Sequence, residues 1–142
     1  MSEPTQPSLS FLITKTALLI VRIYQKELPV LGITVPQSSV LRVLQQQGPL
    51  TQSVIGAAIY MDKATLSTTV RQLRDKKLIE ASGIEEDARF ILHSLTESGQ
   101  EMAAQIQKID QRVEARMQQL ATPETVEISR LFLNTLLENL ND

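Results

Sequence analysis

Residues 50–96 read LTQSVIGAAIYMDKATLSTTVRQLRDKKLIEASGIEEDARFILHSLT, and the fold turns on this stretch. Thr51 can cap a short helix over Gln52–Ala58, because its hydroxyl can accept from an otherwise orphaned backbone N–H two or three residues on. Ile59-Tyr60-Met61 is an uncharged, tight connection, and Asp62 caps a second helix running to about Lys77. Leu78–Ala81 and Phe90–Leu95 read as strands around a polar turn. The pattern predicts a helix–turn–helix followed by a two-stranded wing. In such units the capped second helix enters a major groove and a hairpin beside it can reach an adjacent minor groove.

At 100° per residue, Leu66, Val70 and Leu73 form one stripe of the second helix, which should pack inward. Ala64, Ser67, Thr68, Arg71, Gln72 and Asp75 fall on the opposite side. Small residues let a helix sit deep in a groove. Hydroxyls and glutamine can meet base edges, and arginine reaches guanine or phosphate. From Asp62 to Lys77 five bases (Lys63, Arg71, Arg74, Lys76, Lys77) face two acids (Asp62, Asp75). Over residues 49–96 the charges cancel, so any pull on phosphate comes from a local patch and should be salt-sensitive. In the turn, Gly83 permits positive φ and Arg89 is the single base, with Asp87 two residues earlier able to hold it for a narrow minor groove. An ordinary surface ion pair would look the same.

Outside this module the chain is helical. Met1–Ser8 carries two prolines and reads as a flexible arm. Leu9–Leu28 is a helix apolar on nearly all sides, through Leu12, Ile13, Leu18, Leu19, Ile20, Val21, Ile23 and Tyr24. Such a helix is covered from more than one direction, by a second subunit or as the central helix of a monomer. Pro29 and Gly32 end it, and Thr34 with Gln37 fits a capping box opening a helix to Gln47, stopped by Gly48-Pro49. Thr96-Glu97 opens a long helix with a near-heptad stripe of Met102, Ile106, Ile109, Val113, Met117 and Leu120. Thr122-Pro123 starts a last helix bearing Val126, Ile128, Leu131, Phe132, Leu136, Leu137 and Leu140. The first and last helices carry more apolar surface than the middle module can cover, and a helical dimer covers it economically.

Composition removes other classes. The 142 residues are 42% hydrophobic, enough for a core, and carry a net charge of −2, which is not that of a generally basic nucleic-acid binder. With no cysteine and one histidine, His93, thiol redox chemistry is excluded, and so is a multi-histidine metal site within one chain. No cofactor or metal is expected. There is no nucleophile–base pair or phosphate loop, so an enzyme is not expected. The polar start lacks a basic leader, and the apolar run Ala17–Val21 is far too short to cross a bilayer, so a cytoplasmic protein with no membrane partner is expected.

At Thr34-Val35-Pro36-Gln37, Leu41, Leu44, Thr51-Gln52, Asp62-Lys63-Ala64-Thr65-Leu66-Ser67, Leu73, Asp87-Ala88-Arg89 and Leu95-Thr96-Glu97-Ser98-Gly99, the chain resembles the MarR family of winged helix–turn–helix repressors. The Asp-x-Arg turn followed by Leu-Thr-x-x-Gly is the more specific part. The chain departs from the family's usual arginines at Thr68 and Gln72, and Lys77 stands where glycine is frequent, which would put a lysine in a left-handed conformation.

The resemblance implies a mainly α fold with a small two-stranded β-wing: an N-terminal arm and dimerisation helix over 1–33, the DNA-binding domain over 34–96 and dimerisation helices over 97–142. It implies a homodimer that represses genes from a near-palindromic operator in double-stranded DNA and is released by a small aromatic or phenolic ligand. The contact set is then Thr51, Gln52, Lys63, Ala64, Thr65, Ser67, Thr68, Arg71, Gln72 and Arg89, with Asp87 positioning the wing. Lacking cysteine, the chain does not look like the family's peroxide sensors, and with one histidine it does not look like its zinc sensors. Arg22 and Tyr24 could line an effector pocket or belong to the subunit interface. His93 reads as a satisfied structural histidine ahead of a ligand gate. The competing reading is a winged-helix protein-interaction module with little DNA affinity, favoured by the acidic turn Glu85-Glu86-Asp87.

Overall fold

The computed structural model describes residues 5–83 and 90–141. Asp87 and Arg89 lie outside them. The elements in order are α1 (Leu9–Glu27), a 3-10 turn (Leu28–Leu31), α2 (Val35–Gln47), β1 (Leu50–Thr51), α3 (Gln52–Ile59), α4 (Lys63–Asp75), β2 (Ile79–Ser82), β3 (Leu92–Leu95), α5 (Glu97–Gln118) and α6 (Pro123–Asn139). Contacts divide the chain into two units, one up to Ile106 and one from Gln107, so the division falls within α5.

The helix starts follow local chemistry. Ser8, Thr34, Thr51, Asp62 and Thr122 are all extended, and each accepts from the backbone N–H three residues on. At Thr34 the capping box is complete, with the Gln37 side chain accepting from the Thr34 N–H. Each such cap contributes about 1 kcal/mol.

In the first unit, α2, α3 and α4 surround a core of Val40, Leu41, Leu44, Ile55, Leu66 and Leu73, each at most 4% exposed. The strands make a sheet of order β1-β3-β2. The sequence reading gave two strands; the third is β1, whose Leu50 and Thr51 pair antiparallel with His93 and Leu92. Two residues are too few to show alternation, so no local pattern announces this strand. The wing strands also differ from expectation, β2 being shifted by one residue to Ile79–Ser82 and β3 beginning later, at Leu92.

Helix α4 ends in a Schellman arrangement. The Lys77 N–H bonds the Arg74 carbonyl at 2.9 Å and the Leu78 N–H bonds the Leu73 carbonyl at 3.0 Å. Lys77 is left-handed at φ 59°, as its position opposite the family's glycine implied. An L-residue there costs about 1–2 kcal/mol relative to the right-handed region.

No residue of α1 is buried within the chain: Leu12, Leu18 and Leu19 are exposed, and Ile13, Ile20, Val21, Ile23 and Tyr24 are half-buried. The central-helix-of-a-monomer alternative therefore fails. In the second unit Ile109 and Val113 are buried, but Met117 and Leu120 are exposed, so the stripe expected on α5 is covered only in part. Helix α6 also buries nothing. Arg130 reaches Glu114 at 2.6 Å, with both side chains roughly half exposed, so this pair adds little stability.

Candidate nucleic-acid interface

Helix α4 divides as its sequence predicts. Leu66, Val70 and Leu73 are buried, joined by Thr69, whose hydroxyl donates to the Thr65 carbonyl at 2.7 Å. Lys63, Ala64, Ser67, Thr68, Arg71, Gln72 and Asp75 are exposed on the other side. The candidates sit on one outward face because the inward stripe is fixed by burial on α2 and α3.

Several candidates already serve the fold. Thr51 caps α3 through its bond with the Val54 N–H, and Thr65 is held by Asp62, donating its Oγ1–H to Oδ2 at 2.6 Å. The Asp62 carboxyl lies below the usual carboxylate range, chiefly because the Thr65 hydroxyl and then the Thr65 backbone N–H donate to it. Gln52 donates to the Ser67 hydroxyl at 2.9 Å, tying the start of α3 to the outer face of α4. Gln72 accepts from the Gln37 amide at 2.9 Å. Arg71, Thr68 and Lys63 project from the exposed face.

Arg22 is exposed on α1, while Tyr24 is half-buried with its ring under the Arg42 guanidinium, 4.9 Å from centroid to carbon. Residues two apart on a helix point in different directions. Neither residue lines the large groove of the domain, a hollow of about 1080 Å³ bounded by α3, α4 and β3.

His93 lies in that groove and departs from its sequence reading. It is buried, yet its Nδ1 has no hydrogen-bond partner among the described residues. The side chains of Leu66, Val70 and Ile91, which line the same groove, are apolar. Burial, and secondarily the positive charge of Arg74, hold the imidazole's pKa below its ordinary value. The folded state therefore favours neutral His93, and the unfolded chain takes up the proton first as pH falls. Stability from this group is complete above the ordinary histidine pKa of about 6.5 and is lost as pH drops below it toward the folded value. Unfolding free energies from urea titrations should fall between pH 7.5 and 5.5, by at most about 1.4 kcal/mol per pH unit for one proton. His93→Phe should flatten that slope, since this is the only histidine. An unchanged slope in a folded variant would contradict the assignment.

Sequence reasoning missed two participants. Gln37 was visible only as a capping residue and Lys76 only as one of several bases, and their meeting with Gln72 joins positions up to 39 apart. No local pattern carries such a contact.

A capped tri-helical unit with an outward polar α4 and a paired hairpin beside it is a winged helix–turn–helix domain. Residues 31–89 match the family model described as MarR family. The chain is 34% identical over 91 residues to the organic hydroperoxide resistance transcriptional regulator of Bacillus subtilis (strain 168), a match spanning 64% of this chain and 62% of that protein's length. The S. aureus MepR–DNA complex superposes with a TM-score of 0.81 at 26% identity, covering 94% of this chain and 98% of that one. BpsR of Bordetella bronchiseptica, whose DNA binding is regulated by 6-hydroxynicotinic acid, shares the fold at TM-score 0.77 and 23% identity, covering 94% of this chain and 98% of its own. Over residues 31–89 the chain is thus similar to the MarR family, and its fold is that of winged-helix MarR regulators.

Proposed function

We propose that the chain is a sequence-specific, DNA-binding repressor acting as a homodimer on a near-palindromic operator, with residues 34–96 reading DNA and residues 1–33 and 97–142 forming the dimer. The observation that carries this reading is the exposed α4 face, where Ser67, Thr68 and Arg71 stand together on a helix whose other side is locked into the core. Two such helices would enter successive major grooves with half-sites about 34 Å apart. MepR, 26% identical to this chain, supports the reading as a DNA-bound relative. Acting on the genome would place the protein in the cytoplasm.

Release by a small aromatic or phenolic ligand completes the proposal, with Arg22 and Tyr24 as candidate contacts. Such a ligand acts only by favouring a dimer geometry that misplaces the two recognition helices. The hydroperoxide regulator's name does not extend to a thiol switch here, because the chain has no cysteine to oxidise.

A gel shift on the chain's own upstream region at two salt concentrations tests the core claim, with affinity falling steeply as salt rises. Arg71→Ala should weaken specific binding by roughly 1–3 kcal/mol and relax base preference. Arg89→Ala should weaken binding more evenly across sequences. Intact helicity with unchanged affinity in both would remove the proposed contact surface. The zero net charge over residues 49–96 favours the second reading, a protein-interaction module, which expects no salt-dependent shift on any fragment.

A further inference from the structure

Gln37 is 2% exposed in the first turn of α2, and its amide is used at both ends. Its Oε1 accepts from the Thr34 backbone N–H at 3.2 Å and from the Lys76 ammonium at 2.8 Å. Both of those groups are donors only, so they identify which corner of the Gln37 amide is oxygen. The other corner, Nε2, faces Gln72 at 2.9 Å. Nε2 is a donor only, so Gln72 must turn its Oε1 toward it. The Lys76 ammonium is pinned as well, because it also donates to the Gly32 carbonyl at 2.6 Å. The chain of bonds thus begins at two fixed donors and ends at an exposed side chain on the recognition face.

A free glutamine reads adenine with both amide atoms, accepting from N6 and donating to N7. Gln72 has its oxygen turned inward to Gln37, which leaves its NH2 for an outside partner. We propose that Gln37, held by Lys76, is a positioning residue that makes Gln72 a donor-only reader of DNA, directed at acceptor edges such as guanine O6 and N7 or thymine O4. This rests on the DNA-binding reading above.

Gln37→Glu tests it by changing polarity with little change in shape. A carboxylate keeps the bonds from Thr34 and Lys76 but offers Gln72 an acceptor, so Gln72 must turn its NH2 inward and its oxygen outward. In the free protein, the Gln72 side-chain NH2 resonances should become protected from exchange. In selection of bound DNA from an operator randomised one base pair at a time, preference at a single position should move from acceptor edges toward the amino-bearing edges of adenine or cytosine, by roughly tenfold.

Gln72→Glu, at an exposed site that cannot compromise the core, should move preference at the same position in the same direction. In a Gln72→Ala background, Gln37→Glu should no longer alter base preference. A uniform loss of affinity over all sequences, or no shift in the folded Gln72→Glu protein, would overturn the assignment. Failure of the unmodified protein to bind any DNA would instead overturn the functional reading and this inference with it.

Discussion

Gly99→Ala should destabilise the protein by roughly 3 kcal/mol or more, where the same change in an ordinary helix interior stabilises by about 0.5–1 kcal/mol. The sign reverses because of what lies against Gly99. A methyl group there would overlap the backbone carbonyl oxygen of Leu78, with the Leu95 side chain also close. Backbone cannot rotate aside as a side chain can. That carbonyl is fixed by the Thr96 N–H at 3.1 Å, and the Thr96 hydroxyl donates to the Lys77 carbonyl at 2.7 Å while accepting from the Gly99 N–H at 3.0 Å. Thr96 and Gly99 thus clamp the start of α5 onto the end of α4, beside the left-handed Lys77. The Leu-Thr-x-x-Gly run is the sequence form of this junction. Gly56 supplies the contrast. A Cβ there meets the Leu66 side chain at 3.0 Å, a flexible neighbour, so Gly56→Ala should cost less. Urea denaturation of both variants decides the matter: a Gly99→Ala protein as stable as the parent would refute the close approach.

What could be read from sequence was whatever local chemistry determines. The caps at Thr34, Thr51, Asp62 and Thr122 act over three residues, and each is where its residue type placed it. The stripe of Leu66, Val70 and Leu73 follows helical period and is buried. Lys77 was legible through the family pattern alone, since no composition rule puts lysine at positive φ. What escaped depends on distant pairing. Strand β1 exists because Leu50 meets His93, 43 residues on, and His93 loses its expected partner because its pocket is assembled from α3, α4 and β3 together. The Gln37–Gln72 bond is of the same kind. Of the proposed contact face, then, the sequence showed which residues point outward but not which of them are already held by neighbours.

Placing a charge on each of α1 and α6, as in Leu18→Glu with Leu131→Glu, should convert the protein to a monomer and weaken operator binding by about 10²–10⁴-fold. Both side chains are more than half exposed in the single chain, at 58% and 59%. They belong to a larger set: Leu9, Phe11, Leu12 and Leu19 on α1, and Ile128, Phe132, Leu133 and Leu137 on α6, all at least 41% exposed. On each helix, apolar side chains left uncovered in such number are what the proposed dimer would bury. Because they contribute nothing to the chain's own core, charging two of them should leave helicity intact, which separates loss of assembly from loss of fold. The affinity falls by so much because the second half-site is otherwise engaged as an intramolecular event at high effective concentration, and a monomer forfeits that gain. Arg71 and its neighbours would still be present on α4, so residual binding should be weak, salt-sensitive and indifferent to the spacing of half-sites. Light scattering and gel shifts on the same preparation read both quantities. A helical variant that stays dimeric would move the interface elsewhere, and a monomer with undiminished operator affinity would overturn the proposed role of pairing in DNA binding.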